Sequence, residues 1–217
     1  MRRHSGLDPM TYSILVLDAD TGLAGVAVAS GTIAVGSRVP WARYGAGVVV
    51  TQAYTNPALG PLILELLARH GLSARDALEE ALKRDSSPSH RQVAVIDYAG
   101  EIAVHDGDWV PSWHGYLVDP SIPAVCIANL VVGPEVCENA MRALRTTEGN
   151  IIDKLVAALE AAHRAGGDKR GDKSAALLVV GHTNHLPYYD RVVDLRVDFA
   201  KDPIRKLRKL YEEWMKP

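Results

Sequence analysis

Cysteine is scarce in this 217-residue chain, with Cys126 and Cys137 the whole supply. Two thiols cannot build the framework of a disulfide-stapled secreted domain, so stability has to come from burial in a reducing compartment. Both sit among apolar neighbours, the usual setting of a packed, unreactive cysteine. Aromatic residues are few as well, four Trp, eight Tyr and one Phe, which leaves the core aliphatic. No apolar run reaches the ~18–20 uncharged residues of a membrane span. Neither charge dominates: 24 Lys and Arg stand against 26 Asp and Glu, a net charge of −2. The basic surface that releases counterions from nucleic acid is therefore missing. Residues 1–10 carry Arg2 and Arg3 with no apolar stretch behind them, so they do not read as a secretory signal. These absences predict a soluble, globular, cytoplasmic protein with neither nucleic acid nor membrane as partner, and they name no chemistry.

What is present is chain enough for one domain with a sizeable core. Ser13 to Ser30 reads as two apolar strands around an Asp18-Ala-Asp-Thr-Gly22 turn, a hairpin signal. Gln92 to His105 repeats the pattern around Asp97-Tyr-Ala-Gly100. The runs are nearly continuous in apolar residues, which predicts strands covered on both faces. Further strands are expected at 45–52, 174–181 and 188–197. Asn56 as an N-cap, Pro57 behind it and Gly71 as a stop predict one helix, and Ser73 with Asp76 opens a second, to about Arg84. Later helices are expected from Gly133-Pro134 to Arg145, over 150–165, and from Asp202-Pro203 onward. Hairpins with helix pairs between strand groups predict an α+β fold, two mostly antiparallel sheets between helix layers.

Familiar chemical motifs are mostly excluded. Gly166-Gly-Asp-Lys-Arg-Gly171 resembles a phosphate loop, but Asp172 takes the place of the lysine and the loop runs from helix to strand. There is no Gly-x-Ser-x-Gly elbow. His182 and His185 lie in a turn with no carboxylate or thiol of metal-ligand spacing, so neither metal nor cofactor is expected. Two polar stretches at strand ends stand out, Ser37-Arg-Val-Pro-Trp41 and Thr51-Gln-Ala-Tyr-Thr-Asn56.

One ordered series of segments carries a resemblance: Thr11-Tyr-Ser-Ile14, Gly25 to Ser30, Val35 to Ala42, Thr51-Gln-Ala53, Arg91-Gln-Val93, Gly166 to Gly171, Ser174 to Leu177 and Asp194 to Asp198. Together they resemble the family called DUF1028, which is similar in fold to the N-terminal nucleophile (Ntn) hydrolases. The resemblance implies a four-layer αββα sandwich over 11–217, with 1–10 as an extension or propeptide-like segment. It also implies an amidohydrolase acting on a small amide or peptide-like substrate, with Thr11 as nucleophile and its own α-amine as base. That chemistry requires Thr11 at the chain terminus, reached by removal of Met10 as a starting methionine or by cleavage before Thr11. The hairpin turn places Thr11 opposite roughly Gly31, with Ser30 close by. By the placement of the glycine-rich loop, Asp168 and Ser174 are the implied catalytic partners, and Asn129 the oxyanion donor. Ile127-Ala128 replaces the Gln-Gly usual in the family, Lys173 replaces a Gln, and no lysine precedes Lys83. Ser30, Arg38, Gln52, Asn56 and Arg170 are the expected substrate-binding residues. Two other readings stand beside this one, a non-hydrolytic enzyme binding an anionic metabolite through Arg38, Gln52, Asn56 and Arg170, and a catalytically silent binding protein. A homodimer or larger homo-oligomer is expected.

Overall fold

The described strands divide between two sheets, each folded from hairpins. A computed structural model describes residues 11–110, 112–119 and 121–216; the expected extension, residues 1–10, lies outside the described residues. Strands β1 (Thr11–Asp18) and β2 (Leu23–Ser30) form the first predicted hairpin. They join β7 (His114–Asp119), β8 (Ala124–Asn129), β9 (Ser174–Val180) and β10 (Arg191–Val197) in a six-stranded sheet of order β10-β9-β2-β1-β8-β7. The second sheet, β3-β4-β5-β6, is built from β3 (Pro40–Arg43), β4 (Gly47–Ala53), β5 (Arg91–Asp97) and β6 (Ile102–Asp106). Every pairing of these named strands is antiparallel.

Five α-helices complete the described residues: α1 (Leu59–His70), α2 (Ala74–Leu82), α3 (Glu135–Thr146), α4 (Ile151–Arg164) and α5 (Pro203–Trp214). Their caps are mostly those the residue types dictate. Ser73 accepts from the Asp76 amide, Asn150 and Asp153 form a reciprocal capping box, and Asp202 accepts from the Arg205 amide. Asn56 acts just ahead of its helix. Helix α1 starts at Leu59 with Ala58 in the cap position; Asn56 Oδ1 accepts from the Ala58 amide at 3.2 Å, while Asn56 Nδ2 donates to Asp85 Oδ2 at 2.7 Å.

Side-chain alternation sorts the core into three apolar clusters. On β1, Tyr12, Ile14 and Val16 pack with Met141, Leu144, Leu155 and Leu159 of α3 and α4. The intervening Leu15 and Leu17 pack with Val48, Val50, Ala94 and Ile96 of the second sheet. Val49, Val93 and Val95 on that sheet's other face pack with Leu59, Ile63, Leu67 and Leu78 of α1 and α2. Each Leu, Ile or Val removed from water in this way contributes ~1.5–3 kcal/mol. Cys126 and Cys137 are buried and free, as expected. No described helix is long and apolar enough to cross a membrane.

The apolar filling between the sheets stops at one end. There Thr11 and Ser13 of β1, Ser30 of β2, Asn129 of β8, Ser174 of β9, Gln52 of β4 and Gln92 of β5 are all buried. Strand parity carries them onto the same inter-sheet face as Leu15, Val28, Ile127, Ala176, Val50 and Ala94.

Candidate functional site

Thr11 opens the central strand pair, with Ser30 and Asn129 as its Cα partners on either side. Its hydroxyl donates to Ser30 Oγ at 3.2 Å. Ser30 Oγ lies 3.0 Å from Thr32 Oγ1, and Thr32 in turn accepts from Arg38 Nη2 at 3.4 Å. A row of small hydroxyls thus leads from Thr11 out to a guanidinium.

Below Thr11 lies an amide network joining the sheets. Ser13 Oγ donates to Gln52 Oε1 at 2.7 Å, and Gln52 Nε2 donates to Gln92 Oε1 at 2.8 Å and to the Thr11 carbonyl at 3.3 Å. Gln92 Oε1 also accepts from Asn129 Nδ2 at 2.9 Å. Its Nε2 reaches Asp106 Oδ1 at 2.9 Å, the same oxygen that meets His114 Nδ1 at 2.8 Å. Because a carboxylate only accepts, Asp106 sets the direction of the whole chain of bonds. Asn129 Oδ1 is left buried with no partner among the described residues. An orphaned acceptor of this kind costs ~1–3 kcal/mol and marks a place where another donor belongs.

The glycine-rich loop closes the other side. Asp168 is buried, and its Oδ2 accepts from the Gly31 amide at 2.5 Å while Oδ1 accepts from the Arg170 amide at 2.7 Å. The Arg170 guanidinium adds an ion pair at 3.3 Å. A methyl at Gly31 would lie 2.1 Å from Asp168 Oδ2, so only glycine permits this approach. Ser174 sits opposite Ser30, and its hydroxyl donates to the Thr32 carbonyl at 2.6 Å and accepts from the Val35 amide at 3.1 Å. Ser174 therefore pins the segment that follows Ser30.

Backbone strain gathers here too. Among the described residues four non-glycines have positive φ: Ala34, Ala53, Ser112 and Leu130. Ala53 ends β4, Leu130 follows Asn129, and Ala34 lies in the segment pinned by Ser174. Ser112 precedes Trp113, whose carbonyl accepts from the Leu130 amide. Each such residue costs of order 1–3 kcal/mol and persists only where surrounding contacts demand it, typically at functional sites.

The family model described as "Family of unknown function (DUF1028)" matches residues 11–207. The chain belongs to the DUF1028 family. Protein SPO2555 from Silicibacter pomeroyi, a solved DUF1028 structure, is similar at 30% identity and a TM-score of 0.85, covering 96% of this chain and 87% of its own. Anbu (ancestral beta-subunit) from Yersinia bercovieri matches 94% of each chain at 13% identity and a TM-score of 0.36, a likeness too slight to carry an inference. No curated protein matches.

In this DUF1028 protein the residues expected at the site divide into three groups. Thr11, Ser30, Asn129 and Gln52 are joined directly or through Gln92. Asp168, Arg170, Ser174 and Arg38 hold the segment after Ser30 from outside. Asn56 belongs elsewhere: with Arg91 it binds Asp85, whose carboxyl is held at about 2, hydrogen bonds from Arg91, Asn56 and Ser87 outweighing burial. Sequence reasoning passed over Gln92, Asp106 and His114. Asp106 reads as an ordinary strand end, and only pairing β5 with β6 and β8 with β7 brings the three together.

On the opposite face of β1, Tyr12 donates to Asp172 Oδ2 at 2.8 Å, and His163 Nδ1 meets the same oxygen at 2.6 Å. The Asp172 hydrogen bond raises the His163 pKa, while burial and Asp172 together hold the Tyr12 phenol protonated. The cluster ties the loop's far end to β1 and α4. Among the described residues no group of three or more His, Cys, Asp or Glu is arranged to hold a metal ion.

Proposed function

We propose that this DUF1028 protein is an Ntn-type amidohydrolase, its two sheets and flanking helices forming a four-layer αββα sandwich, with Thr11 as nucleophile toward a small amide or peptide-like substrate. The observation that carries the reading is the place of Thr11. It is a hydroxyl residue at the start of a central strand, where the apolar filling between the sheets gives way to buried polar side chains.

In a chain beginning at Thr11, the α-amine has an ordinary pKa of ~7.7–8.0 and is in part neutral near pH 7. It takes the hydroxyl proton as Thr11 Oγ1 bonds to the substrate's carbonyl carbon. Asn129 Nδ2 has a second proton beyond the one given to Gln92, and that proton meets the developing oxyanion. Asn129 Oδ1 is an acceptor for the ammonium. Collapse of the intermediate breaks the C–N bond, and the leaving amine takes the proton. Water then hydrolyses the Thr11 ester, returning the acid and the free hydroxyl. Asp168 and Ser174 act by holding the segment behind Ser30. The anionic-metabolite reading is less well served, because Arg38 is bonded to Thr32 and Ile33 and Arg170 is ion-paired with Asp168, although Arg170 Nη1 is buried with no partner among the described residues.

Intact mass of the native protein tests the proposal together with labelling by a covalent amide mimic. The expected result is a chain starting at Thr11 that takes one label and loses it in Thr11→Ala. An active protein that retains residues 1–10 overturns the proposal.

A further inference from the structure

The end of the four-stranded sheet carries a feature that the Thr11 chemistry does not use. The ladder continues past Gln52, Gln92 and Asp106. The Gly107 amide donates to the Arg91 carbonyl at 3.0 Å, that of Trp109 to Ser89 at 2.9 Å, and that of Tyr54 to His90 at 3.2 Å. Tyr54, His90 and Trp109 therefore stand side by side across the extensions of β4, β5 and β6. The Tyr54 and His90 ring centres are 5.5 Å apart, and those of His90 and Trp109 are 5.1 Å apart, both edge-on. The arrangement is built into the backbone. A methyl at Gly107 would lie 2.3 Å from the Ser89 carbonyl oxygen, and His105 Nε2 meets the Pro88 carbonyl at 2.8 Å.

Yet beyond its edge contact with His90, Trp109 is turned to solvent, 68% exposed. Tryptophan is usually largely buried, and a ring held outward on a fixed backbone suits recognition. At ~3.3 Å per residue, two to three residues past Gln92 set Trp109 on the order of 7–10 Å beyond the Thr11 network. The charged groups that flank the row in the ladder are taken up, Arg91 by Asp85 and Asp106 by Gln92 and His114. The row therefore offers a ligand mainly the faces and edges of adjoining rings. That favours an aromatic ring over a sugar, which needs hydrogen-bond partners as well.

We propose that Trp109 and His90, with Tyr54 bracing His90, form a subsite for an aromatic ring of the amide substrate. The proposal rests on the Thr11 reading for the word substrate, but its test does not. Full-length Thr11→Ala protein is titrated with N-acetyl-L-phenylalaninamide while the Trp109 indole N–H resonance is followed, with methyl β-D-glucopyranoside in a parallel titration. The expected result is a saturable shift with the aromatic amide, none with the glucoside, and affinity about tenfold weaker in Trp109→Ala. A Trp109 resonance unmoved by the amide overturns the proposal, as does a shift with the glucoside alone or unchanged affinity in Trp109→Ala. The first readout needs no change at Trp109, so a poorly folding Trp109→Ala would not obscure it. Saturable binding without hydrolysis by the native protein would defeat the Thr11 reading alone.

Discussion

Gly31 shows how closely this site is fitted at the level of single residues. It follows Ser30 directly, and its missing side chain lets Asp168 reach the backbone amide. Gly31→Ala is expected to destabilise the protein by about 1–3 kcal/mol through steric conflict with the Asp168 carboxylate. In an Asp168→Ala background the same substitution should cost much less, and denaturant unfolding of the four-protein cycle measures the coupling. Counting back from the Asp18 to Gly22 turn puts Thr11 opposite Gly31; the observed partner is Ser30, one residue nearer. That near miss was legible because hairpin register follows from a local turn. Asp168 meeting Gly31 was not, because 137 residues separate them and glycine's role there is to leave space.

Among the elements, the loop between α4 and β9 joins the two sides of β1. Asp168 holds Gly31 at the inter-sheet end, while Asp172 holds Tyr12 and His163 on the helix side. His163 has a pKa raised by its hydrogen bond to Asp172, with Asp202 adding to the effect and burial and Arg164 opposing it. A raised folded-state pKa means that the contribution of charged His163 is complete below its ordinary value of ~6.5 and is lost as pH rises through the folded value. The stability advantage of the native chain over His163→Gln should therefore be greatest at or below pH 6 and shrink above it. Thermal unfolding across pH measures this, and a constant difference would contradict it. Most elements were readable from periodicity and caps. β7 and β8 were passed over although Asp119-Pro-Ser-Ile-Pro123 is a turn between two apolar runs. β3 has only four residues, too few to show a period.

Over the whole molecule, β1 binds the layers together, because alternate residues belong to different clusters. Leu15 packs toward the second sheet and Ile14 toward α3 and α4. Leu15→Ala is expected to cost ~2–5 kcal/mol by opening a cavity where neither sheet can relax freely. Unfolding should remain a single transition by circular dichroism and fluorescence, since β1 carries the loss to both sheets. The α+β class, the hairpins, most helix caps and the aliphatic core are legible in the chain alone. These follow from alternation, turn chemistry and residue type, which act over a few neighbouring positions. Tertiary pairing is what joins Gln52, Gln92, Asn129 and Asp106 in one network beside Thr11, brings Asn56 to Asp85 and turns Trp109 to solvent. Those outcomes depend on which strand ends are brought side by side and on which hydrogen-bonding groups burial leaves unmatched. Neither is encoded in any short stretch of chain.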